Sequence, residues 1–572
     1  MRKLTLVSLF ASFSLAGIGQ SNAGNLTGNV ESIFQYLRQD SLIGANQPPS
    51  KGLLNTYMNV FYTYGNFKAG LRVESYLPRI QGYPNRFDGT GIGMRYVGYA
   101  NDFIDITLGS FYEQFGSGLA LRAYEDRALG YDNLLDGVRL VVRPYKGVTL
   151  KGVYGYQRLS FQQGEIVHGA GIVRGFDGEL HLNEVIPGMA ESKLNATIGG
   201  SLVSKYQVDD NDDLILPENV GSYGGRFKLR YGKFSLDGEY IIKEQDPSND
   251  NNYIYNYGHA AVFNLAYSQK GLGILFSGKS ADNMSFRSDR TKDLQDVFIN
   301  YLPALNKTHT YNLVATLYPY ATQPLGEVAY QTEVLYTIPK GTALGGKYGT
   351  VVNFNASITR NPIRHTSGID PLDSSRVFYK NTPFEWGSTE YWRDINININ
   401  RKLNKQFNII LSYFNIHLNN DIAKISNDAV GIIKSHIAVL EAGYKFNSKH
   451  ALRAELQGLF LEPKDDGSVN DKGDWATLLL EYTISPSWFF SFMLQNNYGN
   501  PNEFNSNPVD IGLFSERAKA INYPIVTCGY IRESTRFMVS YGRQRAGLFC
   551  VGGVCRFVPA NNGLTLSFTH SF

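Results

Sequence analysis

The 572-residue chain has only three cysteines, no excess charge of either sign and no long apolar run beyond its first residues. Each shortage excludes a class of protein. The 54 Lys and Arg stand against 51 Asp and Glu, a net charge of +3, so nucleic acid is not a partner held by bulk charge. No apolar stretch after the amino terminus approaches the roughly 18 to 20 residues of a membrane-spanning helix, which excludes a helical inner-membrane protein. No cysteine stands at the small-residue site that ends the amino-terminal apolar stretch, so a lipidated amino terminus is not expected to tether the chain and membrane attachment is expected to come from the fold. Also missing is the shift in composition that separates soluble domains of roughly 100 to 200 residues.

What is present favours strands. The chain has 38 Tyr, 34 Phe and 58 Gly, and its mean hydropathy is -0.23. Arg2 and Lys3, the apolar stretch 4–18 and the small-residue site Ser21-Asn22-Ala23 read as a secretory signal peptide over 1–23, with 24–572 as one mature domain beginning at Gly24. Beyond it, segments of about ten residues alternate in polarity, as barrel strands with one lipid face and one lumen face must. Phe67, Ala69, Leu71 and Val73 oppose Lys68, Arg72 and Glu74; Leu452, Ala454, Leu456 and Phe460 oppose Arg453, Glu455 and Gln457; Ile395, Ile397 and Ile399 oppose Asn396, Asn398 and Asn400.

Short polar connections such as Gly65-Asn66, 144–147 and 447–449 alternate with longer polar segments at 40–52, 79–88, 111–135, 160–169, 207–219, 245–256, 281–308, 361–389, 419–432, 463–473, 499–521 and 546–562. Tight turns at one end and long loops at the other define an all-β, single transmembrane antiparallel β-barrel of about 24 strands, within a range of about 22 to 26. The range reflects residues 309–360, which offer three candidate strands where the pattern demands an even number. A periplasmic sandwich or propeller would use strands of about 5 to 6 residues. The last segment, 564–572, alternates and ends on Phe568 and Phe572, which read as the carboxy-terminal signal for the barrel-assembly machinery.

Residues 111–133, FYEQFGSGLALRAYEDRALGYDN, together with Cys550-Val551-Gly552-Gly553-Val554-Cys555-Arg556, resemble a family of Bacteroidota outer-membrane barrels without assigned activity. The resemblance spans the mature chain and implies a location, the Gram-negative outer membrane, and a phylum. It implies no reaction, and it leaves open a free-standing barrel or a subunit of an envelope complex for barrel assembly, lipoprotein export or type IX secretion.

Segment 111–135 carries Arg122, Glu125, Asp126, Arg127 and Asp132 beside Gly116-Ser117-Gly118, more charge than a loop tip needs, and is expected to fold into the lumen. These groups either line a constriction that selects a polar solute or form a salt-bridge network that shapes the loop. Cys550 and Cys555 are the natural disulfide pair of an exported protein, with metal binding as the alternative, and Cys528 sits in a strand-like context. Asp209, Asn211 and Asp213, and the group Asp465, Asp466, Asn470, Asp471 and Asp474, have calcium-like spacing without the Gly and distal Glu of a complete loop, so no metal site is assigned. Nine histidines are scattered without a zinc motif, and no Gly-x-Ser-x-Gly elbow is present, so neither a cofactor nor an enzymatic activity is assigned.

The composite expectation is a pore or transporter for a polar solute, in contact with outer-membrane lipid. Strand-like sequence from Asn25 speaks against an amino-terminal plug domain. The alternative is a non-conducting accessory barrel of an envelope machine, with Tyr301, Tyr379, Phe384 and Trp386 in the long loops 281–308 and 361–389 offering contact surface to partner subunits.

Overall fold

The computed structural model describes residues 24–366, 378–423, 431–464, 471–499, 520–551 and 554–572. Residues 1–23, read from the sequence as a signal peptide, and Asp465, Asp466 and Asn470 lie outside the described residues. Twenty-four strands form one antiparallel sheet in which each barrel strand pairs with the next along the chain. The last strand, Asn561–Ser571, pairs with the first, Asn25–Arg38, from Asn29 opposite Ser571 to Arg38 opposite Asn562, and this seam closes the barrel. Strands run from the 8 residues of Ile104–Phe111 to the 17 of Glu165–His181.

The period of two sorts the side chains onto two faces. Leu71 is 40% exposed on the outer wall while its neighbour Arg72 is 6% exposed on the lumen face; Leu456 is 52% exposed between Glu455 at 3% and Gln457 at 4%. Near the tight turns, Tyr64, Phe67, Tyr145, Tyr231, Phe234 and Trp488 face outward, an aromatic girdle of the kind that marks a membrane interface. Two-residue turns such as Gly65-Asn66 need left-handed backbone, which Gly65 supplies at φ 55°. The connections at the opposite end are long, matching the alternation read from the sequence.

Two segments depart from that reading. Residues 160–169 are not a long loop: Val148–Gln162 and Glu165–His181 form a hairpin closed by Gln163 and Gly164 alone. Its tip is polar because it extends past the membrane as strand. It also fills a gap, since Gly89–Ala100 and Ile104–Phe111 pair only from Tyr96 to Ala100. Beyond Tyr96 the hairpin tip takes over, with the Phe161 amide donating to the Arg86 carbonyl and the Asp88 amide to the Phe161 carbonyl.

The third candidate strand in 309–360 is the other departure. Only Gly326–Ile338 and Thr350–Pro362 are strands there; residues 283–325 are one long connection containing a short helix, Asn312–Thr316. The apolar residues that imitate a strand are instead buried inside the barrel.

Candidate functional site

Residues 112–134 leave the loop end of Ile104–Phe111 and turn into the lumen. Phe115, Leu119, Ala120 and Leu121 are buried against inward-facing apolar residues of the wall, among them Val153, Val173, Val203 and Ile241. At Gly116 the backbone is left-handed, φ 53°, and an added Cβ would lie 2.6 Å from Glu239 Oε1. A side chain here would have to hold left-handed backbone and displace the Glu239 carboxylate. The next residue fastens the turn, its Ser117 amide donating to Glu239 Oε2 at 2.7 Å.

The charged residues of this loop are paired to the wall. Arg72 binds Glu125 with a two-pronged fork, 2.9 Å on each prong, and its Nε donates to Asn59 at 2.8 Å. Arg158, fully buried, donates to Glu74 Oε2 at 2.7 Å and to Asp132 Oδ2 at 2.8 Å, while Tyr112 donates its hydroxyl to Asp132 Oδ1 at 3.0 Å. Arg127 donates to Glu31 Oε2 at 2.6 Å and Glu125 Oε1 at 2.9 Å, and its guanidinium stacks 4.3 Å from the Tyr57 ring centre. Burial pushes the Asp132 carboxyl up to about 6 against the pull of Arg158. For Arg127 burial works downward, and the Glu125 and Glu31 carboxylates outweigh it, so the group stays charged.

The five charges singled out in the sequence therefore do not form one ring. Glu125, Arg127 and Asp132 belong to a network completed by Arg72, Glu74 and Arg158. Asp126 turns back on its own loop, accepting from the Leu129 amide at 3.0 Å. Arg122 stands apart, its guanidinium held between the rings of Tyr124 at 4.3 Å and Tyr301 at 4.0 Å. Tyr301 is consequently an inward contact and not part of an external surface, and Tyr379 is 9% exposed.

The second inward loop, 283–325, joins the apolar cluster of the first loop through Met284, Phe286, Ile299 and Leu302, and its later part covers the other half of the wall. Leu313, Val314, Leu317 and Tyr318 pack on Phe414, Ile416, Ile437 and Val439. The polar groups of the wall satisfy its backbone and side chains: the Leu313 amide donates to Gln457 Oε1 at 2.9 Å, Lys307 donates to Asn353 Oδ1 at 2.6 Å, and His309 Nε2 lies 2.7 Å from Asp394 Oδ2. The two loops join across the lumen. The Arg122 amide donates to the Ile299 carbonyl at 2.8 Å, the Tyr301 amide to the Gly118 carbonyl at 2.9 Å, and Asn133 Nδ2 to the Phe298 carbonyl at 2.8 Å.

A third element, the hairpin of Gly547–Val551 and Val554–Val558, brings Cys550 opposite Cys555, and the two are disulfide-bonded. Between this hairpin, the helix Asn312–Thr316, residue Arg127 and the wall lies a cavity of about 430 Å³. Arg545 and Arg556 both line it. Sequence reasoning placed neither there, because nothing local distinguishes them from loop arginines.

Asp209 and Asn211 direct their side-chain oxygens to backbone amides of their own loop, those of Asn211, Leu216, Asp213 and Leu214. Among the described residues no three His, Cys, Asp or Glu side chains converge as a metal site. At the seam, Gly28 and Phe572 exchange backbone hydrogen bonds of 2.9 Å in both directions, and Phe568 and Phe572 face outward.

A closed antiparallel barrel with a lipid-facing apolar wall and loops folded into a polar lumen is an outer-membrane β-barrel. The chain belongs to the DUF6029 family, a family of unknown function, whose model matches residues 1–572. Solved structures to which it is similar include the copper transporter OprC, at 9% identity over 96% of this chain and 80% of that one with a TM-score of 0.38. The outer membrane transporter YddB from Escherichia coli aligns at 9% identity over 96% and 81% of the two chains with a TM-score of 0.39, and Pseudomonas aeruginosa OpdK with vanillate at 10% over 75% and 98% with 0.32. No curated protein matches. None of these likenesses bears on what the lumen admits.

Proposed function

We propose that this protein is a gated outer-membrane transporter for a polar solute, its lumen held shut at rest by the two inward loops. The observation that carries this reading is their junction at Gly118, Arg122, Ile299 and Tyr301, beside a cavity lined by arginine and amide side chains. A static porin would keep a continuous aqueous path bordered by charges free to meet solute. Here Glu125, Arg127 and Asp132 are engaged with wall partners, so passage requires one loop to leave its place.

The same junction favours a second reading, an accessory barrel of an envelope complex, since a filled lumen needs no solute to justify its contacts. Export behind a cleaved signal peptide and recognition of Phe568 and Phe572 by the assembly machinery belong to both readings. The two are separated by flux into proteoliposomes holding the purified barrel, paired with a native pull-down from outer membranes. Solute uptake that rises when residues 283–325 are shortened supports the transporter. Absent flux in both forms, together with stoichiometric partners in the pull-down, contradicts it and establishes the accessory barrel.

A further inference from the structure

Most lumen arginines are neutralised within the fold. Arg72, Arg127, Arg139, Arg158, Arg226 and Arg453 each have at least one carboxylate at ion-pair distance. Arg122 and Arg290 are held by rings or neutral oxygens within packed loops. Among the described residues, neither Arg545 nor Arg556 has a carboxylate at ion-pair distance either, and these two line one cavity.

Arg545 donates to Thr316 Oγ1 and lies with its guanidinium 5.6 Å from the Trp475 ring centre. Arg556 donates to the Gly82 carbonyl at 2.6 Å, lies 5.9 Å from the Tyr83 ring, and keeps its Nε buried without a partner. Aromatic rings and neutral oxygens orient a guanidinium; they do not cancel its charge. Burial pulls the pKa of both groups down, that of Arg545 to about 10. Taking a charge out of water without a counter-charge is costly, and such groups persist where a partner arrives from outside the fold.

The cavity suits such a partner. Its volume, about 430 Å³, falls within the size of small-molecule sites. Ile33, Met493 and Ile525 give it an apolar wall, and Gln35, Gln495 and Gln544 supply amides that fix orientation. The single acidic side chain in the lining, Glu31, is already engaged by Arg127. Guanidinium forks match the paired oxygens of carboxylates and phosphates.

We propose that this cavity is a binding site for a small organic anion, a carboxylate or a phosphate ester, held by Arg545 and Arg556. The assignment names the solute class of the transporter reading and rests on it for its purpose, but binding itself does not depend on flux.

The test is isothermal titration of the purified full-length barrel in detergent with benzoate, phenyl phosphate and the neutral isostere benzamide. Benzoate or phenyl phosphate is expected to bind saturably at one site, whichever of the two is preferred identifying the anion, with benzamide weaker by about tenfold or more. Arg545→Gln and Arg556→Gln are each expected to weaken binding by at least about tenfold while leaving the melting temperature unchanged or raised, because each removes a half-buried charge that makes no ion pair. A merely structural arginine would instead lower it. On the wild-type protein, where folding is not in question, raising salt to about 1 M is expected to weaken the anion and leave benzamide unaffected. Saturation by neither anion, equal binding of benzamide, wild-type affinity in both Gln variants, or salt-independent affinity would each overturn the proposal. Binding without flux would leave the site standing and remove the transporter; flux of a neutral sugar without anion binding would do the reverse.

Discussion

Arg158 shows how a single residue ties loop to wall. It leaves a strand of the long hairpin, enters the lumen fully buried, and bridges Glu74 of the wall to Asp132 of the inward loop. Removing one member of such a network strands the others as uncompensated buried charges, so Arg158→Ala is expected to cost about 3–5 kcal/mol in denaturant unfolding of the detergent-solubilised barrel. A loss below about 1 kcal/mol, the range of an exposed pair, would contradict the network. Most of this constellation was legible from sequence. Arg72 and Glu74 share a face with Lys68 in a clean alternating run, and Glu125, Arg127 and Asp132 crowd one loop. Arg158 was not, because polar residues that continue a strand beyond the membrane look like loop.

Elements were legible where lipid imposes its demand and illegible where the lumen does. A strand in contact with lipid must alternate, and the runs around Leu71, Ile395 and Leu456 do. The short turns and long loops followed for the same reason. Inside the barrel no periodicity is required. The segment holding Leu313, Val314, Leu317 and Tyr318 is apolar because it packs on inward-facing Phe414 and Ile437, and its composition resembles a strand without being one. The inward course of residues 112–134 was legible from its surplus of charge, whereas that of 283–325 was missed although Arg287, Asp289, Arg290, Lys292, Asp293 and Asp296 crowd its first part. At Gly116 the inward turn depends on left-handed backbone and on the missing Cβ facing Glu239. Gly116→Val is expected to cost about 1–3 kcal/mol and to detach the turn from the wall. Limited proteolysis of the folded protein would then cut within 112–134, where the wild-type loop is protected; equal protection would contradict this role for the glycine.

At the scale of the whole molecule, a closed wall of 24 strands encloses more space than inward side chains can fill. Two of the barrel's own loops and the hairpin of Gly547–Val551 and Val554–Val558 occupy it, and both loops are fastened to the wall by apolar packing and by ion pairs. The two loops meet through backbone hydrogen bonds, the stacked rings around Arg122 and a shared apolar cluster that includes Leu119, Leu121, Ile299 and Leu302. In the gated-transporter proposal this junction is what has to part. The most direct measurement is single-channel recording in planar bilayers of the wild-type barrel beside a variant in which residues 303–322 are replaced by a short Gly-Ser linker. A lumen closed by its loops gives a near-baseline wild type and large, long-lived open steps in the variant. Steady large conductance from the wild type, or a variant as silent as the wild type, would contradict it.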